Sequence, residues 1–332
     1  MISLATATIN KKVKANIKSC LDEGMIGGGR FIKEFEQKVA DYVGVKHAIA
    51  VCNGSMADIV ALAVLKHLYP NKTEVIVPAL TFIAQINAVI INGLTPVFVD
   101  VGYDYQMKEP KITDDTLCVM PANLLGKRCD VQGNIILEDS CEAFGFKPKD
   151  IGTYSFFPSH TITTGEGGMI VTDNDKYAEL ARIIKNHGRR GNNILDKFHF
   201  DMIGFNGKMS NISAAIGLGV MDNADEIIKK RKDNVVLMNE LTGNDFYAES
   251  PHAYPILCDN RDEVLLKFEK NKIEARKLFS CIPTQEKAYK YMGYELRDFP
   301  VAEDIGNRGL FLPIHQNLTR EDIKKISICL KY

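Results

Sequence analysis

Short Val- and Ile-rich runs alternate with helical patterns from about residue 45 to about residue 190, which predicts an α/β protein built on a doubly wound sheet with helices on both faces. The chain has 332 residues, of which 45% are hydrophobic and 25% charged, an ordinary globular balance that allows one large domain and a smaller one. The helical spacing that begins near Ser210 carries the chain out of the alternating region, so the expected division is a large domain over 1–225, with its N-terminal segment, and a small C-terminal α/β domain over 226–332.

The elements follow in order. Strands are expected at His47 to Val51, Glu74 to Pro78, Pro96 to Asp100, Leu117 to Pro121, Ile135 to Asp139, Tyr154 to Phe157 and Met169 to Thr172. Helices are expected at Ser55 to Leu68, Thr81 to Ile91 and Asp173 to Asn186, each starting near a Ser, Thr or Asp able to cap free backbone N–H groups. From Ser210 to about Leu241 the spacing of Ile212, Ile216, Val220, Ala224, Ile228 and Val235 predicts one long helix. A strand at Tyr254 to Cys258 and helices near Asp262 to Asn271 and Thr319 to Leu330 complete the smaller unit, where Thr319 and Asp322 have the spacing of a capping box.

Composition excludes several classes of function. A formal net charge of −1 gives no long-range field toward nucleic acid or an anionic membrane, so any bound phosphate must be gripped locally. The first twenty residues hold Lys11, Lys12, Lys14 and Lys18 and no apolar stretch with a cleavage site, and Ile83 to Val101 is broken by Gln85, Asn87, Asn92 and Asp100. A soluble, cytoplasmic protein is expected. The eight cysteines, at 20, 52, 118, 129, 141, 258, 281 and 329, form no CxxC pair, as befits reduced and mostly buried thiols, and no metal site is expected.

Three segments carry candidate chemistry. Cys52-Asn-Gly-Ser-Met-Ala57 closes a strand and opens a helix, so Gly54 permits a tight turn while Ser55 and Met56 offer N–H groups to an anion; on pattern alone the same turn is a simple cap. Leu137-Glu-Asp-Ser-Cys-Glu-Ala-Phe-Gly145 places Asp139 and Glu142 at the end of a buried strand, where ligand crevices of α/β sheets lie, although a capping aspartate has the same pattern. Ser155-Phe-Phe-Pro-Ser-His160-Thr-Ile-Thr-Thr-Gly-Glu-Gly-Gly168 joins two strands through a loop that holds a histidine.

That last run resembles the cofactor-lysine loop of the DegT/DnrJ/EryC1/StrS sugar aminotransferases, with His160 where the family has lysine. The likeness extends from Gly27-Gly-Gly-Arg-Phe-Ile-Lys-Glu-Phe-Glu36 to Leu312-Pro-Ile-His315 and Leu318-Thr-Arg-Glu-Asp322, nearly the whole chain. It implies the type I fold of pyridoxal-phosphate-dependent transferases, with a large domain of mixed, mostly parallel sheet and a small C-terminal α/β domain. It also implies pyridoxal 5'-phosphate or pyridoxamine 5'-phosphate as cofactor, held by Gly54, Ser55, Met56 and Ser155 at the phosphate and by Asp139 at the pyridine nitrogen. Phe82, which pattern alone makes a core residue, matches the aromatic that stacks on the ring. Gly204-Phe-Asn-Gly-Lys-Met-Ser210 resembles the family's Gly-Phe-Asn-Tyr-Arg-Met-Ser, which makes Asn206 a ligand to the partner subunit's cofactor phosphate and implies a homodimer with its active site at the interface; Gly207 and Lys208 depart from the pattern.

The resemblance also sets the expected reaction. A lysine would bind the cofactor as a Schiff base, whereas an imidazole moves protons without forming that bond. Glu142 stands where the aminotransferases carry glutamine, and Cys141-Glu142 is similar to the dehydratase relatives. Between Gly191 and Phe205 no cysteine is present to bind an iron-sulfur cluster. The expected activity is therefore a cluster-free 3-dehydratase of a 4-keto-6-deoxy nucleotide-diphosphate hexose, in deoxysugar and lipopolysaccharide biosynthesis. In that reaction His160 relays protons and glutamate recharges the cofactor. The alternatives are a nucleotide-sugar 3- or 4-aminotransferase in which His160 replaces the lysine, and a noncatalytic homologue.

Overall fold

In the computed structural model, which describes residues 1–191 and 198–330, two helices precede the first strand, α1 (Lys11–Asp22) and α2 (Arg30–Val43). The alternating region follows as β1 (His47–Val51), α3 (Gly54–Leu68), β2 (Glu74–Pro78), α4 (Ile83–Ile91), β3 (Thr95–Val99), β4 (Thr116–Val119), β5 (Leu137–Asp139), β6 (Ile151–Ser155), β7 (Gly168–Thr172) and α5 (Asp175–Ile184). Each strand and helix expected in this region is present, with ends moved by a few residues. β6 ends at Ser155, so Phe156 and Phe157, expected in the strand, belong to the loop beyond it.

β3, β2 and β4 pair in parallel, and β5, β6, β7 and β1 pair in that order with β7 antiparallel to both neighbours. Parallel bridges from Val119 to Ile136 and from Ala122 to Asp139 join β4 to β5, so the strands run β3-β2-β4-β5-β6-β7-β1 across one mixed, mostly parallel sheet. Its pleat sorts side chains to two cores. Ile49, Val51 and Ile170 point to the face covered by α3 and α5, while Ala48, Ala50, Met169 and Val171 point to the face covered by α2. On the second face Phe35 packs against Phe156 with ring centroids 5.1 Å apart. Burying a side chain of that size contributes roughly 1.5–3 kcal/mol.

The long helix expected from Ser210 is instead two. α6 (Asn211–Val220) ends in a 3₁₀ turn at Met221–Asn223, and α7 (Ala224–Thr242) follows it. Asn10 explains the break, because its side-chain amide donates to Gly219 O and to Asn223 Oδ1, both at 2.8 Å, and so ties the N-terminus of α1 to the junction. Hydrophobic spacing survives such a junction, so periodicity alone does not reveal it.

The C-terminal region holds β8 (Tyr254–Leu257), α8 (Arg261–Lys270), β9 (Arg276–Lys277), α9 (Ile282–Gln285), α10 (Pro300–Arg308), β10 (Gly309–Leu312) and α11 (Arg320–Leu330). β8, β10 and β9 form an antiparallel sheet in that order. The capping box at the start of α11 is present, with Thr319 N–H donating to Asp322 Oδ2 at 2.9 Å and Asp322 N–H to Thr319 Oγ1 at 3.2 Å. All eight cysteines are free thiols, and among the described residues no helix is long and apolar enough to cross a membrane.

Candidate active site

The C-terminal ends of β1, β5 and β6 open onto one cavity of about 610 Å³. Gly54, Ser55, Phe82, Asp139, Glu142, Ser155 and His160 all line it, seven of the nine residues expected in the site.

Met56 and Asn206 are not among the lining residues. The Met56 N–H is already taken, because Asn53 caps α3 and accepts it at 2.8 Å, leaving the Gly54 and Ser55 N–H groups to face an anion at the helix N-terminus. Asn206 is exposed and accepts a hydrogen bond from Lys208 Nζ at 2.5 Å.

Close backbone approach shapes the cavity at the start of α3. A methyl group on Gly168 would stand 2.3 Å from Asn53 O, and one on Gly54 would stand 2.7 Å from Ser155 Cβ, so both glycines let β7 and β6 crowd the start of α3. Phe82 stands just before α4 and is 53% exposed, against the expectation for a core aromatic, and leans on Phe279 at 5.6 Å. An exposed ring on a cavity wall is a surface for stacking.

Near the same turn two carboxyls meet. Asp58 of α3 and Asp139 of β5 are buried, and Asp58 Oδ1 accepts from Thr153 Oγ1 at 2.6 Å while Asp139 Oδ1 accepts from the Cys141 N–H at 3.1 Å. Burial, and for Asp58 the neighbouring Asp139, hold both above the usual carboxylate range.

His160 is fixed in one tautomer. Its Nδ1 donates to the Ser155 carbonyl at 3.0 Å, so the neutral ring carries its lone pair on Nε2. Burial lowers its pKa from the usual 6.5 to about 4, against the raising effect of the Ser155 hydrogen bond, and the Arg231 guanidinium lowers it further. The ring is therefore a neutral base near pH 7, not the half-charged acid and base that an unperturbed histidine would be.

His252, in the segment before β8, was not expected in the site. Its ring meets that of His160 edge to face at 5.0 Å, and its Nε2 lies 3.6 Å from Glu142 Oε1. Nothing around Pro251-His-Ala253 signals this, because the contact depends on how the C-terminal region docks. Arg276, Lys277, Phe279 and Phe311 reach the cavity from β9, β10 and their flanks in the same way. Asp58 did leave a signal, a charged residue among Ala57, Val60, Ala61 and Leu62 on a buried helix.

The residues fit a phosphorylated pyridine: a helix N-terminus framed by glycines, a half-exposed aromatic, a buried carboxyl, and Thr81 Oγ1 and His252 Nδ1 on the wall without partners. The profile of the DegT/DnrJ/EryC1/StrS aminotransferase family matches residues 7–331. The chain belongs to that family. Its cofactor is that of the family, pyridoxal phosphate in its aldehyde or amine form.

The chain is 34% identical to GDP-perosamine synthase of Caulobacter vibrioides over 99% of its own length and 97% of the relative's. It is also 34% identical to the GDP-perosamine synthase of Escherichia coli O157:H7, over 97% of this chain and 95% of the relative. Helicobacter pylori PseC, an aminotransferase involved in the biosynthesis of pseudoaminic acid, superposes with a TM-score of 0.89 at 22% identity, covering 99% of this chain and 98% of its own.

These relatives correct the expected reaction. GDP-perosamine synthase is an aminotransferase, so family members alike over the whole chain point to amine transfer and overturn the 3-dehydratase expectation. A GDP-4-keto-6-deoxymannose-3-dehydratase superposes with a TM-score of 0.88, covering 100% of both chains, but at 24% identity this likeness carries the fold alone. Cys141-Glu142 was read as support for dehydration, and in the structure Glu142 Oε2 accepts the Leu125 N–H at 2.8 Å.

Proposed function

We propose that this protein is a nucleotide-sugar aminotransferase in which His160 stands in place of the cofactor-binding lysine. Its substrate class is a GDP-linked 4-keto-6-deoxy hexose, with glutamate as amino donor. The observation that carries this reading is the His160 ring on the cavity wall with a free Nε2, in a chain whose 34%-identical relatives are GDP-perosamine synthases.

The bound pyridoxamine phosphate supplies the amino nitrogen and an electron-withdrawing ring. The Gly54 and Ser55 N–H groups and the Ser155 hydroxyl would hold its phosphate, Asp139 would pair with its ring nitrogen, and Phe82 and Glu142 would complete its binding site. Asn206 serves the phosphate of a partner subunit in a homodimer. His160 Nε2 moves the proton that a lysine amine would otherwise carry, and because an imidazole forms no bond to the cofactor, these contacts alone hold it. The same reading takes 226–332 as a small domain that brings Phe279 and Phe311 over the cavity.

The test is to incubate protein, pyridoxamine phosphate and GDP-4-keto-6-deoxymannose and to measure the mass of the sugar product. Exchange of the keto oxygen for an amine supports the proposal. Loss of an oxygen without gain of nitrogen, or no change, overturns it.

A further inference from the structure

Leu125 connects two buried titratable groups. It adopts a left-handed backbone with φ 60°, an uncommon conformation for a branched residue and one often kept at functional sites. In this turn its N–H donates to Glu142 Oε2 at 2.8 Å, and its carbonyl accepts the His252 N–H at 3.3 Å. The next residue, Gly126, has φ 82°, and a methyl group there would stand 1.9 Å from Ser250 O, so the segment carrying His252 is seated closely on the turn. This brings His252 Nε2 to 3.6 Å from Glu142 Oε1 and sets the His252 ring against His160 at 5.0 Å. The side chains of His252 and Glu142 are each 9% exposed, and His252 Nδ1 has no partner.

Under the aminotransfer reading, we propose that Glu142 and His252 serve His160 as a buried acid–base relay. Amine exchange requires the ketone oxygen to leave as water, so two protons must reach that oxygen in turn while the amine nitrogen releases two as the carbon–nitrogen double bond replaces the carbon–oxygen one. A proton passes from Glu142 Oε1 to His252 Nε2 while the His252 Nδ1 proton passes into the cavity, to the departing oxygen or to His160 Nε2. The reverse transfers recharge Glu142 with a proton released by the nitrogen. Each step breaks one O–H or N–H bond and forms one, and no oxidant or reductant is consumed.

The surrounding charges suit this use. Burial lifts the Glu142 carboxyl to about 7, with Asp139 adding to the rise and the Leu125 hydrogen bond opposing it, so it holds or releases a proton near neutral pH. Burial pushes His252 well below its usual range, helped by His160, Arg231 of α7 and Arg276 of β9, so its ring carries charge only in passing. Arg231 Nη1 donates to the His252 carbonyl at 2.8 Å, which places that charge beside both imidazoles.

The test combines kinetics with a titration independent of activity. Single-turnover amine transfer to GDP-4-keto-6-deoxymannose is followed from about pH 5.5 to about pH 9 in native, His252→Gln and Glu142→Gln proteins. The relay predicts a loss of roughly 30-fold or more in His252→Gln with pyridoxamine phosphate affinity within about threefold, and disappearance of the pH limb near neutrality in Glu142→Gln. It also predicts that added imidazole restores the rate of His252→Ala. Infrared spectra of the native protein should contain a carboxyl band titrating near neutral pH that is absent from Glu142→Gln and shifted in His252→Gln. An unchanged pH profile in His252→Gln, a slow His252→Ala that imidazole does not rescue, or the absence of that band overturns the relay. If the native protein transfers no amine but the band titrates and shifts as described, the coupled pair stands and the functional reading fails.

Discussion

Asp58 on α3 and Asp139 at the end of β5 lie side by side beneath the cavity, and each offers a carboxyl oxygen that, with Cys141 Sγ, falls within a span of 4.8 Å. Two buried carboxyls so close do not both ionise readily. The folded protein therefore binds protons more tightly here than the unfolded chain, and stability is lost as pH rises from the ordinary aspartate range through the raised folded value. Asp58→Asn keeps an acceptor for Thr153 and removes the repulsion. The cofactor-free variant is expected to gain in melting temperature relative to the native protein between about pH 5 and about pH 8, as read by calorimetry.

Glu142 follows the same sign. Its folded pKa is raised from 4.5 to about 7, so the native protein loses stability as pH climbs through that window, by a limit of about 3 kcal/mol. In urea titrations of the cofactor-free proteins, the stability of Glu142→Gln relative to native should rise from about pH 4.5 to about pH 7 and level off above.

Gly168 is the residue on β7 that admits the Asn53 carbonyl. In Gly168→Ala the added methyl meets that oxygen at 2.3 Å and pushes the start of α3 away. A loss of roughly 1–3 kcal/mol in stability and a weaker grip on pyridoxal phosphate, measured by fluorescence titration, are expected together.

Replacing His160 by lysine returns the family's residue to the loop. His160→Lys should bind the cofactor covalently, so that borohydride reduction fixes it to the chain and raises the intact mass, while the native protein treated alike keeps its unmodified mass.

The sheet was legible because β1 and β2 are unbroken apolar runs next to helix caps, and Gly54, Asp139 and His160 were legible because each ends or follows such a run. Met56 lies off the cavity wall with its N–H accepted by Asn53 Oδ1, a cap that depends on a side-chain rotamer, which composition does not fix. His252 and Arg276 were missed because they come from distant sequence and reach the cavity wall only once the C-terminal region has folded against it. The reaction itself was misjudged from His160 in the lysine position, with Cys141-Glu142 as added support, whereas the relatives alike over the whole chain point to amine transfer. Local patterns record secondary structure and caps, whereas a contact across the chain leaves no local trace.

The most direct measurement is the washout of deuterium from the methylene carbon of bound pyridoxamine phosphate, in native protein and in His160→Asn with the cofactor equally bound. Exchange in the native protein that falls roughly a hundredfold or more in His160→Asn is the predicted result. Equal exchange in both proteins would contradict an imidazole as the proton carrier.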